Sequence, residues 1–140
     1  MIDFLKYEIK NLLENIILFN KELRLFRPWD FNFNLKLLCR SLELTRLAML
    51  SNKSVSENAE SNAIEIQKFL DLIHRYDNSV SIAESELGVA TRSYSWIFSE
   101  RTPEQEENLD KVYKLSSEIE QKAWNDAMDL LKERMQYWWD

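Results

Sequence analysis

The sequence contains very few residues that interrupt regular backbone structure. Its 140 residues include one glycine, Gly88, and two prolines, Pro28 and Pro103. Sheet proteins need glycine-containing turns about every ten residues, whereas a helical bundle needs far fewer breaks. This scarcity predicts an all-α protein before any periodicity is considered.

Cysteine is almost absent as well. With Cys39 as the single cysteine, the chain forms no internal disulfide, which fits a reducing compartment. The N-terminus lacks the basic, apolar and small-residue regions of a signal peptide, and no window of 18 residues is free of charge. We therefore expect a soluble, cytoplasmic protein that does not enter a membrane.

Positive charge is scarce in most of the chain. The net charge is −6, and residues 51–140 carry the acidic excess. Nucleic-acid binding usually requires a basic face, so a nucleic-acid partner is not expected. Lys36, Arg40 and Arg46 form either a small basic patch or an ordinary solvated helix face.

Apolar periodicity predicts four principal helices. They cover residues 2–26, 31–50 after an Asp30 cap, a third segment ending near Tyr76, and a last segment towards Trp138. Ser54 with Glu57, or Ser56, is the predicted start of the third helix. Residues 77–102 are predicted to form one short extra helix, with Gly88 as its left-handed C-cap, or a packed loop. At this length, residues 1–140 are predicted to form a single domain, an antiparallel-type bundle.

The last helix has the clearest start signal. Thr102 is the predicted N-cap, Pro103 fits the first helical position, and Gln105 completes a capping box. The acidic residues of the first turns suit the positive end of the helix dipole. These acidic residues are Glu104, Glu106 and Glu107. They form either a contact region for a basic partner or a solvated helix start.

The few residues with reactive side chains do not form a recognisable catalytic motif. His74 and Asp71 share a helix face, and with Glu43 they could hold a ligand or metal ion, but one histidine cannot build a two-metal bundle site. Cys39 lies among leucines and is interpreted as structural rather than as a nucleophile paired with His74. We therefore expect no enzyme, no metal site and no cofactor.

Tryptophan is unusually frequent, with five residues, two of them near the C-terminus. Trp138 and Trp139 point about 100° apart on a helix. Either Trp138 enters the core while Trp139 contacts a partner, or both pack against the first helix or the Arg27–Trp29 turn. Trp29, beside Arg27, is either a stacked corner or a ligand clamp. These tryptophans are the candidate partner-binding residues, together with the acidic residues of the last helix start.

Several short motifs resemble a group of small all-helical proteins encoded by bacteriophages. These are Arg27-Pro28-Trp29-Asp30-Phe31, Leu42-Glu43, Tyr76-Asp77 and Trp138-Trp139-Asp140. The resemblance covers about residues 27–140 and implies a viral accessory protein, a class in which many members bind and block a host protein. It implies no activity.

The leading hypothesis is a non-enzymatic helical module that binds a protein partner. The alternatives are a structural homo-oligomer joined by the first helix or the terminal tryptophans, and a helical bundle that binds a small ligand or metal ion near His74.

Overall fold

The computed structural model describes residues 2–24, 30–51, 58–95, 97 and 100–138. Within them the secondary structure is helical and no strand occurs, which confirms the all-α prediction. The helices are α1 (Ile2–Leu18), α2 (Asn20–Arg24), α3 (Phe31–Leu50), α4 (Ala59–Asp77), α5 (Ser79–Leu87) and α6 (Pro103–Arg134). Short 3₁₀ turns occupy Thr91–Ser93 and Met135–Tyr137.

The predicted caps define two of these helices. The Asp30 carboxylate accepts a hydrogen bond from the Asn32 backbone N–H at 3.0 Å and starts α3. Thr102 and Gln105 form both bonds of the capping box at the start of α6. The residues proposed to cap the third helix, Ser54, Ser56 and Glu57, lie outside the described residues.

The segment between α4 and α6 contains the predicted short helix. This helix, α5, begins at Ser79 and ends at Gly88, whose φ of 67° lies in the left-handed region that favours glycine. The Glu84 side chain accepts hydrogen bonds from the Thr91 backbone N–H and hydroxyl, at 2.8 and 2.5 Å. These bonds hold the following 3₁₀ turn against α5. Trp96 and Phe98 lie outside the described residues.

The main core forms where α4 packs between α3 and α6. Its buried members come from all three helices and from the C-terminal turn: Leu35, Leu42, Ile66, Phe69, Ile73, Ala127 and Trp138. A smaller cluster joins α5 to α6 through Ala83, Val112 and Ile119. The α6 helix runs unbroken through Ser116 and Ser117, and the Ser116 hydroxyl donates to the Tyr113 carbonyl at 3.0 Å.

The first segment differs from the single helix predicted over residues 2–26. It divides at Phe19 into α1 and α2. The Leu18 carbonyl accepts a hydrogen bond from the Arg40 Nε of α3 at 3.3 Å. Because this side chain satisfies a carbonyl at the end of α1, the break does not leave that group unpaired.

None of the helices in the described residues combines the length and the apolar content needed to cross a membrane.

Candidate interaction surface

The most prominent surface feature is the apolar stripe of α1. Ile9, Leu12, Leu13 and Ile16 lie within about 100° of one another around the helix axis. Their side chains are 50%, 59%, 55% and 45% exposed, and the adjoining Ile17 is 74% exposed. Monomeric proteins rarely leave a contiguous apolar surface of this kind uncovered, and such surfaces commonly mark an interaction site. We refer to these five residues as the α1 face.

The α1 helix is attached to the rest of the chain at one end. Its C-terminal carbonyl at Leu18 bonds to Arg40, and Arg40 is itself held by Glu43 through an ion pair of 2.7 Å. Neither core cluster of the described residues includes a side chain of α1. The bundle therefore presents the α1 face without covering it.

A cleft of about 910 Å³ lies between α2, α3 and α4. It brings together the predicted group Glu43, Asp71 and His74, and it also contains Cys39 and Arg46. Its charges are balanced, because five basic and five acidic side chains line it: Lys21, Arg24, Lys36, Arg40, Arg46, Glu22, Asp30, Glu43, Asp71 and Asp77.

The carboxylates of this predicted group already have partners. Asp71 Oδ1 accepts from Gln67 Nε2 at 2.8 Å, and Glu43 Oε2 pairs with Arg40. Among the described residues, no three potential ligands lie in a group that could hold a metal ion. In the part of the chain that the structure describes, the buried Nε of Arg46 has no hydrogen-bond partner. Because the charges lining the cleft are balanced, the cleft favours neither an anion nor a cation as a ligand.

Cys39 has the chemistry of a structural thiol. Burial, followed by the nearby charge of Asp77, raises its pKa to about 11. The side chain is therefore the neutral thiol at physiological pH, whereas a cysteine nucleophile must be a thiolate. It also packs at the edge of the main core.

Trp138 lies in the core, where it is 0% exposed. Its ring meets Phe69 in an edge-to-face arrangement, with centroids 6.0 Å apart. Its Nε1–H donates to Glu65 Oε2 at 3.1 Å, and Arg134 Nε donates to the same oxygen at 2.9 Å. Of the two interpretations of Trp138, its burial therefore supports the core anchor, and its ring presents no surface to a partner.

The charge at Glu65 follows from this arrangement. The hydrogen bond from Arg134 lowers the pKa of the Glu65 carboxyl, burial opposes that shift, and the bond from Trp138 lowers the pKa further. Asn62 Nδ2 donates to the Tyr137 carbonyl at 2.9 Å and adds a second tie between α4 and the C-terminal turn. The sequence interpretation did not identify Glu65 as a partner of Trp138, because the two residues are 73 positions apart.

The other two candidate tryptophans, Trp29 and Trp139, lie outside the described residues.

The acidic start of α6 is partly neutralised. Glu106 pairs with Arg101 at 3.1 Å, and Glu107 pairs with Lys111 at 2.6 Å. Glu104 is exposed in the first turn. With two of the three carboxylates next to cations of the same chain, this surface has a weaker negative field than the sequence alone suggests.

No known family model matches the chain, and no match is found among curated proteins or solved structures.

Proposed function

We propose that this protein is a non-enzymatic interaction module that binds another protein chain through the α1 face. The observation that carries the proposal is the row of four apolar side chains, each 45–59% exposed, on a helix that contributes nothing to the cores of the described residues. Covering such side chains is the dominant favourable term in most protein association.

The arrangement of the rest of the molecule suits this role. Among the described residues, the main core of α3, α4 and α6 includes no α1 side chain, so the module can present that helix while the core stays folded. The sequence predicted an antiparallel four-helix bundle. In the proposal, α1 is the fourth helix, and the helix that packs against it belongs to another chain.

The proposal includes no catalytic step. Cys39 is a neutral thiol, and the carboxylates near His74 are occupied by neighbouring side chains. The resemblance of the short motifs to phage-encoded helical proteins extends the proposal to a viral accessory protein located in the cytoplasm of the host.

Site-specific photocrosslinking tests the proposal. A photoreactive amino acid replaces Ile16 on the α1 face in one variant and Tyr7 in the control. Tyr7 is 62% exposed and lies about 180° away around the same helix. We expect a discrete protein adduct from position 16 in the producing cells, and a much weaker one from position 7.

Equal adducts from both positions, or none from position 16, would show that the α1 face has no protein partner.

A further inference from the structure

The spacing of the α1 face has a second property besides its amphipathicity. Ile9, Leu12 and Ile16 follow one another at intervals of three and four residues, and the sequence continues the same alternation back to Leu5 and Ile2. An average interval of 3.5 residues is the pattern of a helix that packs along its length against another helix, with these residues at the a and d positions of a heptad. A helix on a globular core follows 3.6 instead.

The residue types at these positions also indicate how many helices take part. Isoleucine occupies the a positions at Ile9 and Ile16, and leucine occupies the d position at Leu12. Isoleucine at a with leucine at d favours two-stranded coiled coils. Leu13, at the neighbouring e position, widens the surface that a second helix covers.

The charge of the segment fits an identical partner. Residues 2–24 carry four basic and four acidic residues and no net charge, although the whole chain carries −6. Two copies can therefore approach through this segment without the repulsion that the rest of the chain would impose. The basic surplus that attracts an amphipathic helix to an anionic membrane surface is missing from this segment.

We propose that the partner of the α1 face is the α1 face of a second copy of this chain, in a symmetric dimer joined by a parallel two-stranded coiled coil. This inference rests on the proposed function, because it names the chain that the interaction surface binds. A two-fold dimer buries the same surface on both copies and closes the assembly. The cores of the two copies remain outside the contact.

Introducing a charge at Ile9 tests the proposed dimer directly. Ile9 is an a position next to the middle of α1, and in a parallel pair each a residue packs beside its own counterpart. Ile9→Glu and Ile9→Lys each place two like charges in the contact. We expect sedimentation velocity to show a dimer for the wild type and at least about tenfold weaker association for either variant.

An equimolar mixture of Ile9→Glu and Ile9→Lys should recover dimerisation, because opposite charges then face each other. Leu18→Lys is the matched control: Leu18 is 42% exposed and about 180° from Ile9 around the helix, so the control should stay dimeric. Far-ultraviolet circular dichroism of each variant shows that the core remains folded.

Three results would overturn the inference: a monomeric wild type at tens of micromolar protein, dimers that persist in both single variants, or a mixture that does not associate. A monomeric wild type that still gives a position-specific protein adduct in cells would overturn the dimer but leave the interaction module standing. A monomer that gives no adduct and binds anionic phospholipid vesicles would overturn both.

Discussion

The helices α1 and α4 are similarly amphipathic, but their apolar faces have opposite surroundings. In α4, Ile66, Phe69 and Ile73 are 0%, 0% and 4% exposed, because α3 and α6 cover them. In α1, Leu12 and Ile16 are 59% and 45% exposed. An amphipathic pattern therefore specifies which face of a helix becomes buried, but not whether the residues that bury it belong to the same chain or to another one.

The largest expected effect is a loss of unfolding free energy when the buried ring of Trp138 is removed from the main core. Trp138→Ala empties a fully buried site against Phe69 and takes the Nε1–H donor away from Glu65. Large-to-small substitutions of a buried tryptophan cost about 3–5 kcal/mol. We expect a loss of that order in the free energy of unfolding, measured by urea denaturation.

The control for this variant is Tyr113→Ala, because Tyr113 is an α6 aromatic residue that is 60% exposed. It should change the free energy of unfolding by less than about 0.5 kcal/mol. Equal effects of the two substitutions would mean that Trp138 is not a core anchor.

The same substitution in the two regions tests the comparison directly. Leu42→Ala, at a position that is 0% exposed in α3, should cost about 2–5 kcal/mol of unfolding free energy. Leu12→Ala in α1 should cost less than about 0.5 kcal/mol when the protein is dilute enough to be monomeric. At higher concentration the cost of Leu12→Ala should rise, since association stabilises the folded chain by mass action.

A concentration-independent cost at Leu12 would contradict the dimer proposal. A large cost in the dilute monomer would mean that α1 packs on its own core.

Sequence reasoning succeeded where local signals determine local structure. The Asp30 cap, the Thr102–Gln105 capping box and the Gly88 C-cap are short-range patterns, and the structure contains all three. The break at Phe19 was not predicted, and the carbonyl that precedes it bonds to Arg40, which is 22 residues away. Long-range contacts of this kind leave no local sequence signal.

The candidate site was predicted only in part for the same reason. Apolar periodicity predicted the first helix, and its burial in a homo-oligomer was one of the alternatives, but periodicity does not indicate which chain covers an apolar face. The group of residues near His74 was also predicted only in part. The three predicted residues do share one cleft, yet Gln67 and Arg40 occupy the carboxylates. These partners lie four and three residues away on the same helices, so helical spacing indicates them, and the sequence analysis did not take them into account.

The smallest predicted effect concerns the charge that links α4 to the C-terminal turn. The pKa of Glu65 lies below its ordinary value of 4.5 in the folded chain, first because of the bond from Arg134. A carboxyl whose pKa is lower in the folded state than in the unfolded state stabilises the fold above the unfolded pKa, and this stability is lost as the pH falls through the folded pKa.

Glu65→Gln keeps an oxygen that can accept from Arg134 or Trp138 but removes the charge. We therefore expect the wild type to exceed the variant in unfolding free energy near pH 7, by less than either core substitution costs. The difference should shrink as the pH falls below about 4.5 and the wild-type carboxyl takes up its proton. Urea denaturation across this pH range measures it. A difference that stays constant down to pH values well below the folded pKa would show that the ionised carboxylate of Glu65 does not hold Arg134 and Trp138 in place, and that the C-terminal turn is anchored by the buried ring alone.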